Sequence, residues 1–325
     1  MLCAMHAPRP RLASICLLVI ASVLVSCGDG WDPGDPPATY VGRGACIDCH
    51  EEEDRLWQGS HHDLAMQEVG EETVLGDFSG VTLEHFGVTS TFFREDGRFL
   101  VRTDGPDGEL ADFEVAYVFG LTPLQQYLVE FPDGRLQTLQ VSWDSRPAEE
   151  GGQRWFHLYP DEPTPAGDEL HWTGRRFNWN YSCAECHSTD LQRNYDAESD
   201  AYATTWSEID VSCEACHGPG SRHVEWGQLE ARGSAPDDPA MGLTTLLNDR
   251  SGGEWVMDSQ SGIASRSAPP EPDLLLDTCG RCHSRRWQMA EGYDADAPLL
   301  DTHVPRLLEE GLYHADGQIL DEVYV

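Results

Sequence analysis

The chain has 325 residues, 57 acidic against 21 basic side chains, a formal net charge of −36 and an isoelectric point near 4.4. There is no lysine, so every basic residue is arginine. So acidic a surface speaks against nucleic acid and anionic lipid headgroups as partners. It suits attraction of basic proteins, or simple solubility in a salty medium, and the even spread of acids fits the second at least as well.

Residues 1–26 have a basic start (Arg9, Arg11) followed by an apolar run from Leu12 to Val25. That run is short for a bilayer span and reads as a secretory signal. It ends in Leu24-Val25-Ser26-Cys27, which resembles the lipobox of bacterial lipoproteins, where the cysteine is lipidated and becomes the first mature residue. The alternative is an ordinary secretory signal with a coincidental cysteine; either way export to the periplasmic side of the membrane is expected. Gly28 in place of aspartate after the cysteine favours the outer membrane in a two-membrane bacterium. Residues 27–40, rich in Gly, Pro and Asp, read as a flexible tether.

The next segment, 41–76, carries Cys46-Ile47-Asp48-Cys49-His50. The same Cys-x-x-Cys-His pattern recurs at Cys183, Cys186 and His187, at Cys213, Cys216 and His217, and at Cys279, Cys282 and His283. Four matches stand against about 0.015 expected by chance for this composition, and the pattern is that of covalent c-type haem attachment. Two thiols bond to the porphyrin, and the adjacent histidine is the proximal iron ligand. The sequence therefore predicts four covalently attached haems c, with His50, His187, His217 and His283 as proximal ligands. A four-cysteine zinc site from Cys183, Cys186, Cys213 and Cys216 is the alternative, and it leaves the histidine after every pair unexplained. Eight of the eleven cysteines are used by the motifs; Cys3 and Cys16 lie in the leader and Cys27 closes it, so none remains for a structural disulfide.

Residues 77–165 form a β-rich insert between the first and second motifs. Val88–Phe93 and Arg98–Thr103 flank Asp96-Gly97, Phe113–Phe119 alternates, and Tyr127–Phe131 and Leu136–Trp143 flank Pro132-Asp133-Gly134. A small antiparallel meander is expected, with covering the first haem its favoured role and docking a partner the other. Residues 166–325 form a three-haem segment of short helices and irregular chain. Within it Arg232–Pro272 reads as an exposed loop. The apolar run Ile319–Val325 has no stop signal, so a truncated C-terminus is expected. The fold class expected is thus a mainly α and irregular multihaem cytochrome c fold with a small antiparallel β insert.

Function turns on the face of each iron opposite the proximal histidine, because a second ligand favours electron transfer and an open face invites substrate. His61, His223, His303 and His314 are the candidate distal ligands. On a helix continued from the first motif, His61 would sit about 20° from the face of His50 and about 16 Å further along. It could not then close the haem of His50 and would reach a neighbouring one. The same argument applies loosely to His223. His85, His157 and His171 suit packing or propionate contact better, and Met66 is a weaker candidate ligand.

Trp57–Met66 and Cys213–His223 resemble multihaem cytochromes related to the tetrahaem electron acceptor of hydroxylamine oxidoreductase. With Gly151–Pro160 and Leu312–Gln318 they are similar to the subgroup joined to tetratricopeptide repeats, which are absent here. The resemblance runs from about Tyr40 to Val325. It implies largely bis-histidine haems in stacked pairs, His61 and His223 as distal ligands, and an exported electron-transfer role.

Electron transfer between redox partners, with the membrane reached through a lipid anchor at Cys27 and no nucleic acid bound, is the favoured reading. A haem enzyme acting on nitric oxide or hydroxylamine at a five-coordinate iron is the alternative. Its lysine-ligated version is excluded within a chain that has no lysine. A lipid-anchored assembly factor is a third, weaker reading.

Overall fold

The computed structural model describes residues 36–247, 253–268, 274–290, 292, 297–315 and 320. The expected leader, the lipidation position Cys27 and the apolar run at 319–325 fall outside these residues, Leu320 excepted.

Strand exceeds helix, 28% against 21%, which overturns the expected mainly helical fold with a small β insert. Nine strands make one antiparallel sheet: β1 (Met66–Glu68), β2 (Val81–His85), β3 (Val88–Glu95), β4 (Arg98–Asp104), β5 (Leu110–Phe119), β6 (Leu124–Glu130), β7 (Leu136–Thr138), β8 (Val141–Asp144) and β9 (Arg154–His157). Neighbours run β2-β3-β4-β5-β6-β8-β9, with β1 added on β5 and β7 on β6. The expected Asp96-Gly97 turn is present. Both residues have positive φ, 50° and 82°, as a two-residue hairpin loop of matching twist requires.

The helices are short. They are α1 (Glu51–Trp57), α2 (Trp179–Ser182), α3 (Ala184–His187), α4 (Cys213–His217), α5 (Ser221–Glu230) and α6 (Leu274–His283). Each attachment motif occupies about one turn, so four motifs add little helix. Three further hairpins pair β10 (Tyr195–Asp196) with β11 (Ala201–Tyr202), β12 (Trp255–Met257) with β13 (Ala264–Arg266), and β14 (Arg286–Gln288) with β15 (His303–Pro305). The second of these lies inside the stretch 232–272 expected to be loop.

Strand β6 explains why the sheet is more than an insert. Its residues Gln125–Val129 are buried on both faces. With a side-chain period of two, Tyr127 and Val129 join an aromatic core that includes Phe92, Trp155 and Trp172. Leu128 joins a second cluster with Met66, Phe119, Trp179 and Ala184. In the first core Phe92 and Trp155 stack 3.6 Å apart and 4° from parallel. The second cluster packs the sheet on the second motif, to which Ala184 belongs. The expected cover for the first haem is thus a wall against the second attachment site.

The ends of the strand path also meet. His85 on β2 and His157 on β9 stack with ring centres 3.5 Å apart and planes 10° from parallel. Tyr159 holds both: its carbonyl accepts from His85 Nε2 at 2.8 Å and its N–H donates to His157 Nδ1 at 3.1 Å. Burial, reinforced by His85, lowers the His157 pKa to about 4. An unfolded histidine titrates near 6.5, so between about pH 6.5 and 4 the native state binds fewer protons than the unfolded chain. Stability therefore falls as pH drops through that window. Melting of the sheet, followed by far-ultraviolet circular dichroism, is expected at lower temperature at pH 4.5 than at pH 7. His157→Gln should flatten that dependence; an unchanged slope would refute the assignment.

Candidate functional site

A Cys-x-x-Cys-His turn of helix places both thiols and the histidine on adjoining positions of one face. In the first motif the His50 and Cys49 amides donate to the Cys46 carbonyl at 3.1 and 3.2 Å. The second follows α2, whose start is capped by Asn178 accepting from the Tyr181 amide at 3.0 Å. The third is α4 itself and the fourth ends α6.

The four motifs converge, but not in sequence order. The Cys46 and Cys213 thiols lie near enough to perturb one another's ionisation, the first pushed up and the second down, which sets the first motif beside the third. The Cys186 and Cys282 thiols perturb one another in the same way, and Cys186 Sγ lies 4.0 Å from the Arg281 carbonyl, linking the second motif to the fourth. Arg281 Nη2 donates to the Ala215 carbonyl at 3.3 Å, linking fourth to third. The contact order is therefore first, third, fourth, second. The zinc alternative fails on the same contacts, because Cys213 and Cys186 each face a cysteine outside the proposed set of four. Among the described residues no cluster suited to a metal ion is found.

Two glutamates, Glu214 buried and Glu185 nearly so, fix these pairs. Glu214, inside the third motif, accepts from the amides of Val41 at 3.0 Å, Gly42 at 2.7 Å and Gly220 at 2.7 Å. Beside it the Ser221 amide donates to the Thr39 carbonyl at 3.1 Å. The chain entering the first motif is thereby pinned to the third. Glu185, inside the second motif, meets Arg286 at 3.0 Å, His303 at 3.1 Å and Arg193 at 3.7 Å, all from chain beyond the motif. Burial opposes its ionisation, yet the His303 hydrogen bond and the two guanidiniums hold its pKa at about 2. Sequence reasoning passed over both glutamates, since nothing distinguishes them from the many solvated acids.

The histidines divide into groups. The rings of His50 and His223 lie 6.0 Å apart, and those of His62 and His283 lie 6.1 Å apart. Two imidazoles on one iron, with metal–nitrogen bonds of about 2 Å and about 1 Å more to each ring centre, give roughly 6 Å. Both pairs fit that spacing. His223 Nδ1 donates to the Met241 carbonyl at 2.8 Å, and His187 Nδ1 to the Ala65 carbonyl at 2.8 Å. Each bond commits Nδ1 to a carbonyl and makes Nε2 the nitrogen that would bind a metal. Burial lowers the pKa of His187 and of His217, keeping both neutral; for His217 the charges of His223 and His50 add to the effect. Large apolar side chains beside the motifs are exposed, among them Leu56 on α1 and Leu276 on α6. These are surfaces a porphyrin would cover, so the residues present fit covalent haem.

Not every candidate is placed with a motif. Helix α1 stops at Trp57 and Gly59 turns at φ 73°, so the helical extrapolation to His61 does not hold. His62, its neighbour, is the residue that faces His283. His303 is fully buried with Nδ1 against Thr302 Oγ1 at 2.9 Å and Nε2 against Glu185 at 3.1 Å, so neither nitrogen is left for iron. His314 is exposed. Met66 is buried in the second apolar cluster, and His171 pairs with Asp104 at 3.2 Å inside the sheet.

Residues 163–218, which hold the second and third motifs, match the family model for cytochrome c554 and c-prime. The match supports a multihaem c-type cytochrome. A crystal structure of the outer cell wall cytochrome OcwA is similar at a TM-score of 0.49 and 18% identity, over 88% of this chain and 50% of that one. The chain thus spans half the length of that structure. No curated protein matches.

Glu214→Ala removes the acceptor of three backbone donors, each bond to a charged group being worth about 1.5–3 kcal/mol. Hydrogen exchange at the Val41, Gly42 and Gly220 amides is expected to accelerate by about tenfold or more, with the sheet amides unchanged. Equal protection in the variant would show that the carboxylate does not hold this junction.

Proposed function

We propose that the chain is an exported c-type cytochrome that relays electrons between protein partners through at least four covalently bound haems. The observation that carries this is the opposed imidazole pairs, His50 with His223 and His62 with His283, at the spacing of two ligands on one iron. The cysteines Cys46, Cys49, Cys183, Cys186, Cys213, Cys216, Cys279 and Cys282 would hold the porphyrins. His50, His187, His217 and His283 would be proximal ligands. Bound haem supplies reversible one-electron exchange. The chain's own part is to orient His187 and His223 through the Ala65 and Met241 carbonyls, to lower the pKa of His187 and His217 by burial, and to set the motif order first, third, fourth, second. Electrons would pass between haems held in that order.

The leader supports export, and Cys27 would tether the domain to the periplasmic side of a membrane, the outer one on the strength of Gly28. Among the described residues no helix is long and apolar enough to cross a membrane. Basic redox proteins are the partners that a charge of −36 would attract. The narrower kinship with electron acceptors of hydroxylamine oxidoreductase rests on the segments Trp57–Met66 and Cys213–His223.

One observation favours a second reading, an open iron acting on nitric oxide or hydroxylamine. With His303 and the sheet histidines taken up by protein partners, His61 and His314 are what the described residues leave for the irons of His187 and His217. Electron paramagnetic resonance of the oxidised holoprotein separates the two. Relay predicts low-spin signals only, and a high-spin signal that shifts with nitric oxide would establish the enzyme. His223→Ala and His62→Ala should each convert one haem to high spin, whereas His303→Ala should convert none. The denatured holoprotein should outweigh its polypeptide by four haems, and a smaller excess would sink the count.

A further inference from the structure

We propose that a cavity between the sheet and α2 binds a small hydroxylated aromatic carboxylate. It measures about 520 Å³, within the range of about 300–1,000 Å³ typical of small-molecule sites. No cysteine and no histidine lines it, so neither an attachment thiol nor an iron-binding imidazole opens into it.

The charge of the lining runs against that of the molecule. Arg135, Arg175 and Arg193 meet there with Asp200 as the one lining acid, in a chain of net charge −36. Two of the three are held in place. Arg135 pairs with Asp200 at 2.7 Å. Arg193 donates to the Asn180 carbonyl at 3.0 Å and to Gln288 at 2.6 Å. Arg175 differs: it is exposed, its guanidinium sits 4.9 Å over the Tyr181 ring, and among the described residues no carboxylate pairs with it. The three charges act on one point. Burial pushes the titration of the Tyr202 hydroxyl upward, and Arg135, Arg193 and Arg175 all pull it back.

The other walls suit a flat ring. Tyr195 and Tyr202 lie 4.9 Å apart at 43° on the hairpin of β10 and β11, and Tyr181 stands on α2, so an aromatic ligand finds stacking surfaces. The hairpin is held close because Gly134, at φ 78°, carries no side chain; a Cβ there would run into the Tyr202 carbonyl. Gln137 supplies the remaining group. It is 2% exposed, its amide nitrogen is committed to the Trp172 and Gly174 carbonyls, and its Oε1 has no partner among the described residues. A ligand hydroxyl would satisfy that oxygen, and a carboxylate would take the planar fork of Arg175.

Calorimetric titration of the holoprotein with 4-hydroxybenzoate tests this. Saturable binding is expected, weakened by about tenfold or more in Arg175→Gln, the loss of one charge-assisted hydrogen bond. Tyr181→Leu should weaken it as well, and inorganic phosphate should bind less tightly. The proposal is overturned by absent binding, by affinity unchanged in Arg175→Gln, or by phosphate binding equally well. A haem midpoint potential that moves in Arg175→Gln while no carboxylate binds would assign the arginines to a porphyrin propionate and overturn it too.

Discussion

Two glutamates, placed between the cysteines of their own attachment motifs, hold the motif-bearing segments together. Burying a carboxylate costs several kcal/mol unless its charge is met. Glu214 meets its cost with backbone amides from one distant stretch, Val41–Gly42, and from nearby Gly220. Glu185 meets its cost with Arg286, whose side chain is fully buried, and with Arg193 and His303. In a chain whose motif-free cysteines all lie within the first 27 residues, these staples do what cystines do in disulfide-bonded proteins. They act on the same motif pairs that the thiol contacts join. Inter-haem geometry is thus set by the residues that the attachment pattern itself leaves free.

The sheet supplies the second constraint. Strand β1 begins at Met66, one residue after the carbonyl that accepts from His187, and pairs with β5 from Met66↔Phe119 to Glu68↔Tyr117. Phe119 in turn meets the His187 ring edge-on at 5.3 Å. The chain leaving the first motif is therefore strand, imidazole support and core residue within three positions. Haem segments and sheet are one packed unit rather than a cytochrome with an appendage.

What could be read from residues alone followed from chemistry with a fixed local spacing. The four motifs are legible because two thiols and a histidine must fit one macrocycle, and the Asp96-Gly97 turn because two left-handed residues suit a two-residue hairpin. The size of the sheet was not legible. Strands β6, β7 and β8 and the link between the last two bury Gln125, Gln137, Ser142 and Gln140, polar residues that look solvated until their partners are known; Gln125, for one, bonds the backbone of Thr73 and Leu75. His61 and His62 are adjacent and chemically alike, and choosing between them needed the turn at Gly59. His303 looked like a ligand because its partner, Glu185, lies 118 residues away.

The staple between Thr39 and Ser221 spans 182 residues, and this bears on how the molecule is made. Chain emerges in the order first, second, third, fourth motif, whereas the folded contacts run first, third, fourth, second. The first motif cannot be pinned until the third has appeared, and the second waits for the fourth. Closing loops of such length is slow, so every pair of thiols passes through an interval as accessible, unpacked chain. Thioether chemistry would have its opportunity in that interval, and late closure of the two glutamate junctions would then seal the finished centres.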